Sequence, residues 1–352
     1  MTAVHVVVPD GIDDPTRPSG GNTYDRQVCR ELSSIGWSVH EHALSGFWAG
    51  PDAASLAALA RVMQGIPDGA VVLLDGLIAS TAPDVLVPET PRLRLVVLVH
   101  MPLGHRPVDD GALPRERAVL SAGAAVVTTS AWTRRRLLEL YSLPADRVHV
   151  AEPGVEPAEL APGSDSGGGL LCVAAVRHDK GHDLLLGALE MISEESWHCV
   201  CVGSLDRDQA FVEELRARVL EAGLEQRVDF PGPRTGAELD RSYAAADLMV
   251  LASRAETYGM VVTEALVRGL PVIAADVGGV SEALGSGADG SLPGVLVPPE
   301  DPVALAAVLR AWLRDAELRR RWRQAARERC ESLFGWSRTA SVVADVLAGA
   351  SR

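Results

Sequence analysis

Two α/β domains, each a parallel sheet covered by helices on both faces, are predicted by three features of the 352-residue chain. The length exceeds that of a usual single domain, so two cores are expected. Short apolar runs alternate with helical patterns from end to end, the signature of β-α-β units and hence of parallel strands. A stretch rich in proline, glycine and acid, with no apolar period, divides the chain nearly in half at residues 156–169.

The elements follow in order. Val4 to Val8, Val71 to Leu74, Leu95 to Val99, Ala125 to Thr128 and Val148 to Val150 read as buried strands of the first half, and about six strand signals precede the linker. Six more follow it, among them Leu170 to Val173, Cys199 to Val202, the segment from Ala246 to Ser253, and Pro271 to Ala274. The expected division is a first domain over 1–155, the linker over 156–169 and a second domain over 170–334. Trp312, Leu313, Leu318, Trp322, Ala325 and Leu333 repeat with helical period, and Phe334-Gly335-Trp336 breaks into a last amphipathic helix over 335–352.

Charge and cysteine usage narrow the function classes. A formal net charge of −14 opposes binding to nucleic acid or to an anionic membrane through a general field. Two basic runs, Arg134 to Arg136 and Arg319 to Arg321, read as solvated helix faces. Five cysteines with no C-x-x-C spacing fit a reduced, cytoplasmic protein, and Cys199 and Cys201 read as small buried residues on one face of a strand. The chain opens directly on a strand pattern, so no signal peptide is expected. His40 and His42 lack a carboxylate or cysteine at ligand spacing, and no metal site is assigned.

Three constellations carry chemistry. Glu256 stands in a loop and Glu264 inside the helix that Gly259 opens with Met260 and Val261, so the two carboxylates reach opposite ends of a ligand whose anionic centre sits at the helix start. Nucleotide-sugars have that shape. Lys180 is the only lysine among 33 basic residues, retained where a compact ammonium fits and a planar guanidinium does not. It lies in a strand, turn and helix segment, with Arg177 and Gly181 beside it, at the carboxyl edge of a sheet where ligands bind. In the first half, Gly20 and Gly21 open a helix whose inner face carries Val28 and Leu32. His100 ends the strand that starts at Leu95, where a histidine commonly bonds a backbone carbonyl. Asp75-Gly76 ends another strand, and the acid there either positions substrate or caps the next helix.

The run from Tyr243 and Asp247 through Glu256-Thr257-Tyr258-Gly259 and Glu264-Ala265-Leu266 to Gly278-Gly279 resembles the nucleotide-binding half of the retaining glycosyltransferases of family four, and Lys180-Gly181 resembles their phosphate lysine. The resemblance implies the GT-B fold, two Rossmann-like domains facing across a cleft, with the last helix returning to the first domain. It implies donor contacts from Gly20, Gly21, Arg177, Lys180, Glu256, Tyr258, Gly259, Met260, Val261 and Glu264, with Glu264 on the ribose and Glu256 on the transferred sugar. His100, Lys180 and Glu256 would be the catalytic group, His100 reaching the donor sugar. Family members usually place an arginine five residues before the lysine, and this chain has Ala175 there, so one expected phosphate charge is missing. The loop from Met101 to Pro114, with His105, Asp109 and Asp110, would wall the acceptor.

The function expected is metal-independent retaining transfer of a sugar from a UDP- or GDP-linked donor to a small soluble acceptor, with no cofactor. Two rival readings use the same scaffold. An epimerase or hydrolase would act on the nucleotide-sugar without an acceptor, and a non-enzymatic nucleotide-sugar sensor would explain the Ala175 gap.

Overall fold

The computed structural model describes residues 2–16, 18–48, 50–105, 109–287 and 289–351. The chain divides into two compact units. The first comprises Met1–Asp14, Gly20–Gly154 and Gly335–Arg352, the second Pro15–Ser19 and Val155–Phe334.

The first unit holds strands β1 (Ala3–Pro9), β2 (Ser38–Leu44), β3 (Val71–Asp75), β4 (Arg94–Val99), β5 (Ala125–Thr128) and β6 (Val148–Val150). They form one sheet in the order β2-β1-β3-β4-β5-β6, every pairing parallel. Its helices are α1 (Gly20–Ser34), α2 (Ala53–Gly65), α3 (Gly76–Ala79), α4 (Pro83–Leu86), α5 (Ala112–Ala122) and α6 (Ala131–Tyr141). Strand side chains alternate between faces, so Val72 and Leu74 of β3 and Val97 and Val99 of β4 pack under α2 and α6 with Leu59, Met63 and Leu137.

The second unit holds β7 (Gly169–Val173), β8 (His198–Val202), β9 (Val228–Gly232), β10 (Leu248–Leu251), β11 (Val272–Ala275) and β12 (Gly294–Val297). These form a second parallel sheet in the order β12-β11-β10-β7-β8-β9. Its helices are α7 (His182–Glu190), α8 (Gln209–Glu221), α9 (Gly236–Ala244), α10 (Met260–Leu266), α11 (Val280–Leu284), α12 (Pro302–Arg314) and α13 (Ala316–Ser332). Leu170 and Cys172 of β7 join Leu186, Phe211, Leu309 and Trp312 on one face. Leu171, one residue over, joins Met249, Val262 and Val280 on the other.

A last helix, α14 (Trp336–Ala350), belongs to the first unit. Trp336 lies edge-on to Tyr24 of α1 at 5.4 Å, and the Thr339 hydroxyl donates to the Glu152 carbonyl at 2.8 Å. At the amino edge of the second sheet, buried Asp247 accepts from Ser164 Oγ at 2.7 Å, Gly169 N at 2.9 Å and Arg323 at 2.8 Å. That one carboxylate ties the glycine-rich linker to the start of β7 and to α13.

Two basic-run residues differ from the solvated faces expected of them. Arg319 is only 9 % exposed, and its guanidinium donates to the carbonyls of Trp312, Leu313 and Asp165. Arg134 donates to Val148 O and Ala145 O. Both spend their donors on main-chain carbonyls and not on solvent.

Candidate functional site

In each sheet one inner strand, the first of its unit, has later strands on both sides, so the strand order runs outward from it in two directions. In the second unit that strand is β7, with β10 on one side and β8 on the other. The loops that leave β7 and β10 therefore diverge, and the crevice at their carboxyl ends is where an open α/β sheet takes a ligand. Lys180 comes from the loop after β7, and Glu256 from the loop after β10. Lys180 Nζ donates to Glu256 Oε1 at 2.6 Å, and the Ser253 hydroxyl donates to the same oxygen at 2.9 Å.

Local sequence explains the meeting. A Cβ at Gly181 would overlap the Ala252 carbonyl oxygen, and φ there is +68°. Only glycine lets the Lys180 turn press against the end of β10 in that backbone conformation. A Cβ at Gly278 would likewise overlap the Glu256 carbonyl. Arg254 braces the same turn, with bonds to His178 O at 2.6 Å and to both oxygens of Asp183 at 2.8 and 2.7 Å. Ser253 and Arg254 were not singled out in the sequence, although Ser253 ends the strand-to-loop segment that was and Arg254 follows it.

Glu264 is just over one turn inside α10. The Tyr243 hydroxyl donates to Oε2 at 2.9 Å, and Arg268 lies over the Tyr243 ring at 4.4 Å. Burial raises the Glu264 carboxyl above its usual range, against the opposing pull of Tyr243 and Arg268. Among the described residues, Glu264 Oε1 and Glu256 Oε2 take no partner, so each acid keeps one acceptor for a ligand. Met260 and Val261 are half-buried at the start of α10, which is only seven residues long, so its contribution to an anion is its first N–H groups more than a long dipole. Tyr258 is 4 % exposed and packed with Val262 and Val280. Arg177 is 46 % exposed and paired to Asp179 at 2.9 Å, so in this state it is committed to its own turn and does not stand in for the arginine absent at Ala175.

In the first unit the corresponding inner strand is β1, between β2 and β3. His100 follows β4. Its Nε2 lies 2.8 Å from Asp25 Oδ1 and 3.6 Å from Asp75 Oδ2, a carboxylate partnership in place of the backbone carbonyl expected for a strand-end histidine. Asp75 also caps α3, accepting from Leu77 N at 2.8 Å and Ile78 N at 3.2 Å. A Cβ at Gly21 would stand 3.3 Å from His100 Cδ2, so the glycine at the start of α1 leaves the ring its place. Asp25 was missed. The available signal was its position three residues before Val28 and seven before Leu32, an acid on the apolar face of α1.

The acceptor-wall loop is shorter than expected. Leu103–His105 forms one 3₁₀ turn, α5 already begins at Ala112, and residues 106–108 lie outside the described residues. Asp109 is paired to Arg115 at 2.8 Å, and His105 accepts from Arg136 Nε at 3.0 Å. Buried Glu116 holds the 3₁₀ turn through Leu103 N at 3.0 Å and Gly104 N at 2.8 Å, with Ser80 and Tyr141 as further donors. Four donors satisfy a carboxylate that burial alone would penalise.

Among the described residues two groups of potential ligand atoms lie within 4.8 Å of one another: Cys172, His182 and Cys201, and Asp25, Asp75 and His100. The first is a patch of the buried core, with Cys199 Sγ 4.0 Å from Cys201 Sγ. The second is already joined by a hydrogen bond and is read as a proton-holding set. His40 and His42 stack on His5 across the β1–β2 pair at 4.9 and 5.2 Å.

The buried set gives a pH dependence of stability. Burial and the Asp25 charge raise the Asp75 carboxyl to about 7, and His100 is raised above its ordinary value by the two carboxylates, which outweigh the burial that acts against it. In both cases the folded state binds more protons than the unfolded chain, so stability falls as pH rises. For Asp75 the loss runs from about 4 to about 7, and for His100 it begins near 6.5. The expected result is a lower unfolding temperature at pH 8 than at pH 6, with a smaller difference in Asp75→Asn. An identical pH slope in that variant would show that Asp75 is ionised throughout.

Comparison with known proteins bears on both units. Residues 4–159 match the family model described as Glycosyltransferase Family 4, and residues 167–329 match Glycosyl transferases group 1. The chain is 34 % identical over 267 residues to a D-inositol 3-phosphate glycosyltransferase of Xylanimonas cellulosilytica, covering 71 % of this chain and 62 % of the relative. It is 31 % identical over 258 residues to the protein of that name from Jonesia denitrificans, covering 68 % and 60 %. The aligned region thus spans about six tenths of the length of these relatives. Among solved structures, Anabaena Alr3699/HepE in complex with UDP and glucose superposes with a TM-score of 0.80 at 19 % identity, over 99 % of this chain and all of that one. Sucrose-phosphate synthase from Thermosynechococcus elongatus gives 0.79 at 20 % identity, over 99 % of both chains. At those identities the structures show the fold, which is GT-B. With one family model on each unit, the chain belongs to the family 4 glycosyltransferases.

Proposed function

We propose that the protein transfers a sugar from a nucleotide diphosphate sugar, UDP- or GDP-linked, to a small soluble acceptor with retention of configuration and without a metal ion. The observation that carries the reading is the second unit's switch point, where Lys180 and Glu256 meet from neighbouring strand ends and Glu256 and Glu264 each keep one oxygen unpartnered among the described residues. Glu264 accepts from the ribose hydroxyls, as acids in other nucleotide sites do. Glu256 accepts from hydroxyls of the transferred sugar. Lys180 and the N–H groups of Met260 and Val261, with Gly259 allowing close approach, offset the charge that grows on the departing diphosphate, the part a divalent cation takes elsewhere. The leaving phosphate oxygen receives the acceptor proton on the face it departs from, which keeps the configuration and needs no dedicated protein base. In the first unit Gly20, Gly21 and His100 are the candidates for shaping the reacting centre.

The relatives named for D-inositol 3-phosphate support a small polyhydroxylated acceptor, and the Anabaena protein solved with UDP-glucose makes that nucleotide-sugar the first donor to try. Thermal unfolding against UDP, GDP, ADP and their sugars tests the donor class. A ligand at about a hundred times its dissociation constant adds roughly 2.7 kcal/mol of stability. The Glu264→Gln variant sharpens the test. Its amide still accepts from Tyr243 but carries no desolvated charge, so the free protein should unfold at the same or a higher temperature while the donor-induced shift shrinks. Donor affinity should fall about 10-fold, the scale of a hydrogen bond to a charged group. Turnover of a sugar donor with the anomer retained, unaffected by a chelator, completes the reading. No shift with any nucleotide, in a folded protein, would refute it.

A further inference from the structure

Three consecutive strands of the first unit, β1, β3 and β4, send one group each to a single imidazole. Asp25 lies on α1, which follows β1; Asp75 ends β3; His100 follows β4. The two acids are 4 % and 6 % exposed, and both face His100 Nε2, at 2.8 and 3.6 Å. Tyr24 of α1 meets the ring edge-on at 5.2 Å, with its hydroxyl donated to Ala151 O at 2.8 Å and its phenol held protonated by burial. Behind Tyr24 stands Trp336 of α14, which carries no charge. The titratable groups that set the charge of the ring are therefore Asp25 and Asp75.

Above about pH 7, where the raised Asp75 carboxyl is ionised, two carboxylates beside one neutral ring would leave two like charges in a poorly hydrated place. Placing a proton on the ring removes most of that cost, because the imidazolium then answers Asp25 directly. Asp75 cannot turn away to relieve the repulsion, since its other oxygen caps α3 through Leu77 N and Ile78 N. The raised pKa of His100 agrees in direction. On the far edge of the ring, Nδ1 takes no partner among the described residues, and His100 is 19 % exposed at its side chain.

We infer that Asp25 and Asp75 are positioning residues that hold His100 as an imidazolium, with Nε2–H anchored on Asp25 and Nδ1–H kept as a charged donor for a bound ligand. The alternative is a neutral ring donating Nε2–H to Asp25, which would leave Nδ1 an acceptor. The two states offer a ligand opposite chemistry at the same atom. An imidazolium donor suits an oxygen that carries or gains negative charge. The role in turnover rests on the transferase reading; the protonation state does not.

The test is a histidine NMR titration of the whole protein, with the His100 signal assigned by its loss in His100→Gln. In the wild type the His100 midpoint should lie above the ordinary value of about 6.5. Asp25→Asn should lower it by about one to two pH units, the effect of removing an opposite charge in contact. Asp75→Asn, whose side chain still caps α3, should lower it less; this variant decides the question should Asp25→Asn fail to fold. The alkaline limb of kcat should move down with the NMR midpoint while KM for the donor holds, and Asp25→Glu should restore part of both. A wild-type midpoint at or below 6.5, or one that neither asparagine variant lowers, overturns the inference. A kcat limb that stays fixed while the NMR midpoint moves overturns the positioning role. If no donor supports transfer, the titration still decides the charge state, and only the transferase reading falls.

Discussion

Replacing Lys180 by alanine is expected to lower kcat about 100- to 1,000-fold at saturating donor, the cost of removing one preorganised group that faces charge developing in the transition state. The ammonium is already placed, 2.6 Å from Glu256 Oε1, so little reorganisation is needed when the diphosphate takes up charge. Donor KM should change far less than kcat, because the interaction grows as the bond breaks. Lys180→Arg should not rescue. A guanidinium is planar and bulkier, and the turn that carries it is pressed against Ala252 by Gly181, leaving no room to retreat. Stability should fall only modestly, since the pair is partly solvated at 24 % and 13 % exposure and Ser253 still donates to Glu256. Steady-state kinetics with a thermal melt of each variant would settle this, and a kcat within threefold of the wild type would remove Lys180 from the mechanism.

The same pair shows what the sequence could and could not convey. Strand segments were legible because each is a short continuous apolar run, and Ala125–Thr128 and Val148–Val150 appear with the limits read from the chain. Lys180 was legible because it stands alone against arginine. That it touches Glu256 was not, because contact depends on β7 and β10 being neighbours, and strand order is a property of the sheet and not of any local period. Tyr243 lay inside the run that carried the resemblance, yet its bond to Glu264 across twenty-one residues depends on how α9 packs against α10. Asp25 was hidden for the opposite reason. An acid on an apolar helix face is unusual, but its partners, Asp75 and His100, arrive from two other strands.

The arginine expected at position 175 is absent, and neither nearby guanidinium replaces it as the loops stand: Arg177 is paired with Asp179 and Arg254 with Asp183. Arg254 instead stiffens the turn that presents Lys180, through His178 O. On the proposed reading the donor diphosphate meets a single well-placed ammonium, which raises the expected penalty of losing it.

That dependence makes the turn itself the second critical element, and Gly181→Ala should destabilise the protein by at least about 3 kcal/mol and abolish turnover, the high end of what one substitution does. Backbone strain at φ +68° accounts for about 1 kcal/mol or more. The remainder comes from the overlap of a methyl group with the Ala252 carbonyl oxygen, which is backbone at the end of β10 and cannot swing aside as a side chain would. Relief requires the turn after β7 to lift from the sheet edge. Lifting it separates Lys180 from Glu256 and strains the Leu185 N to Gly181 O bond that starts α7. Gly223→Ala is the matching control: φ is +65°, but nothing lies within 4 Å of the added methyl group, so it should show the strain alone and keep full activity. Equal losses of unfolding free energy in the two variants would mean that the turn is held by conformation only, and that close packing against Ala252 does not set the position of Lys180.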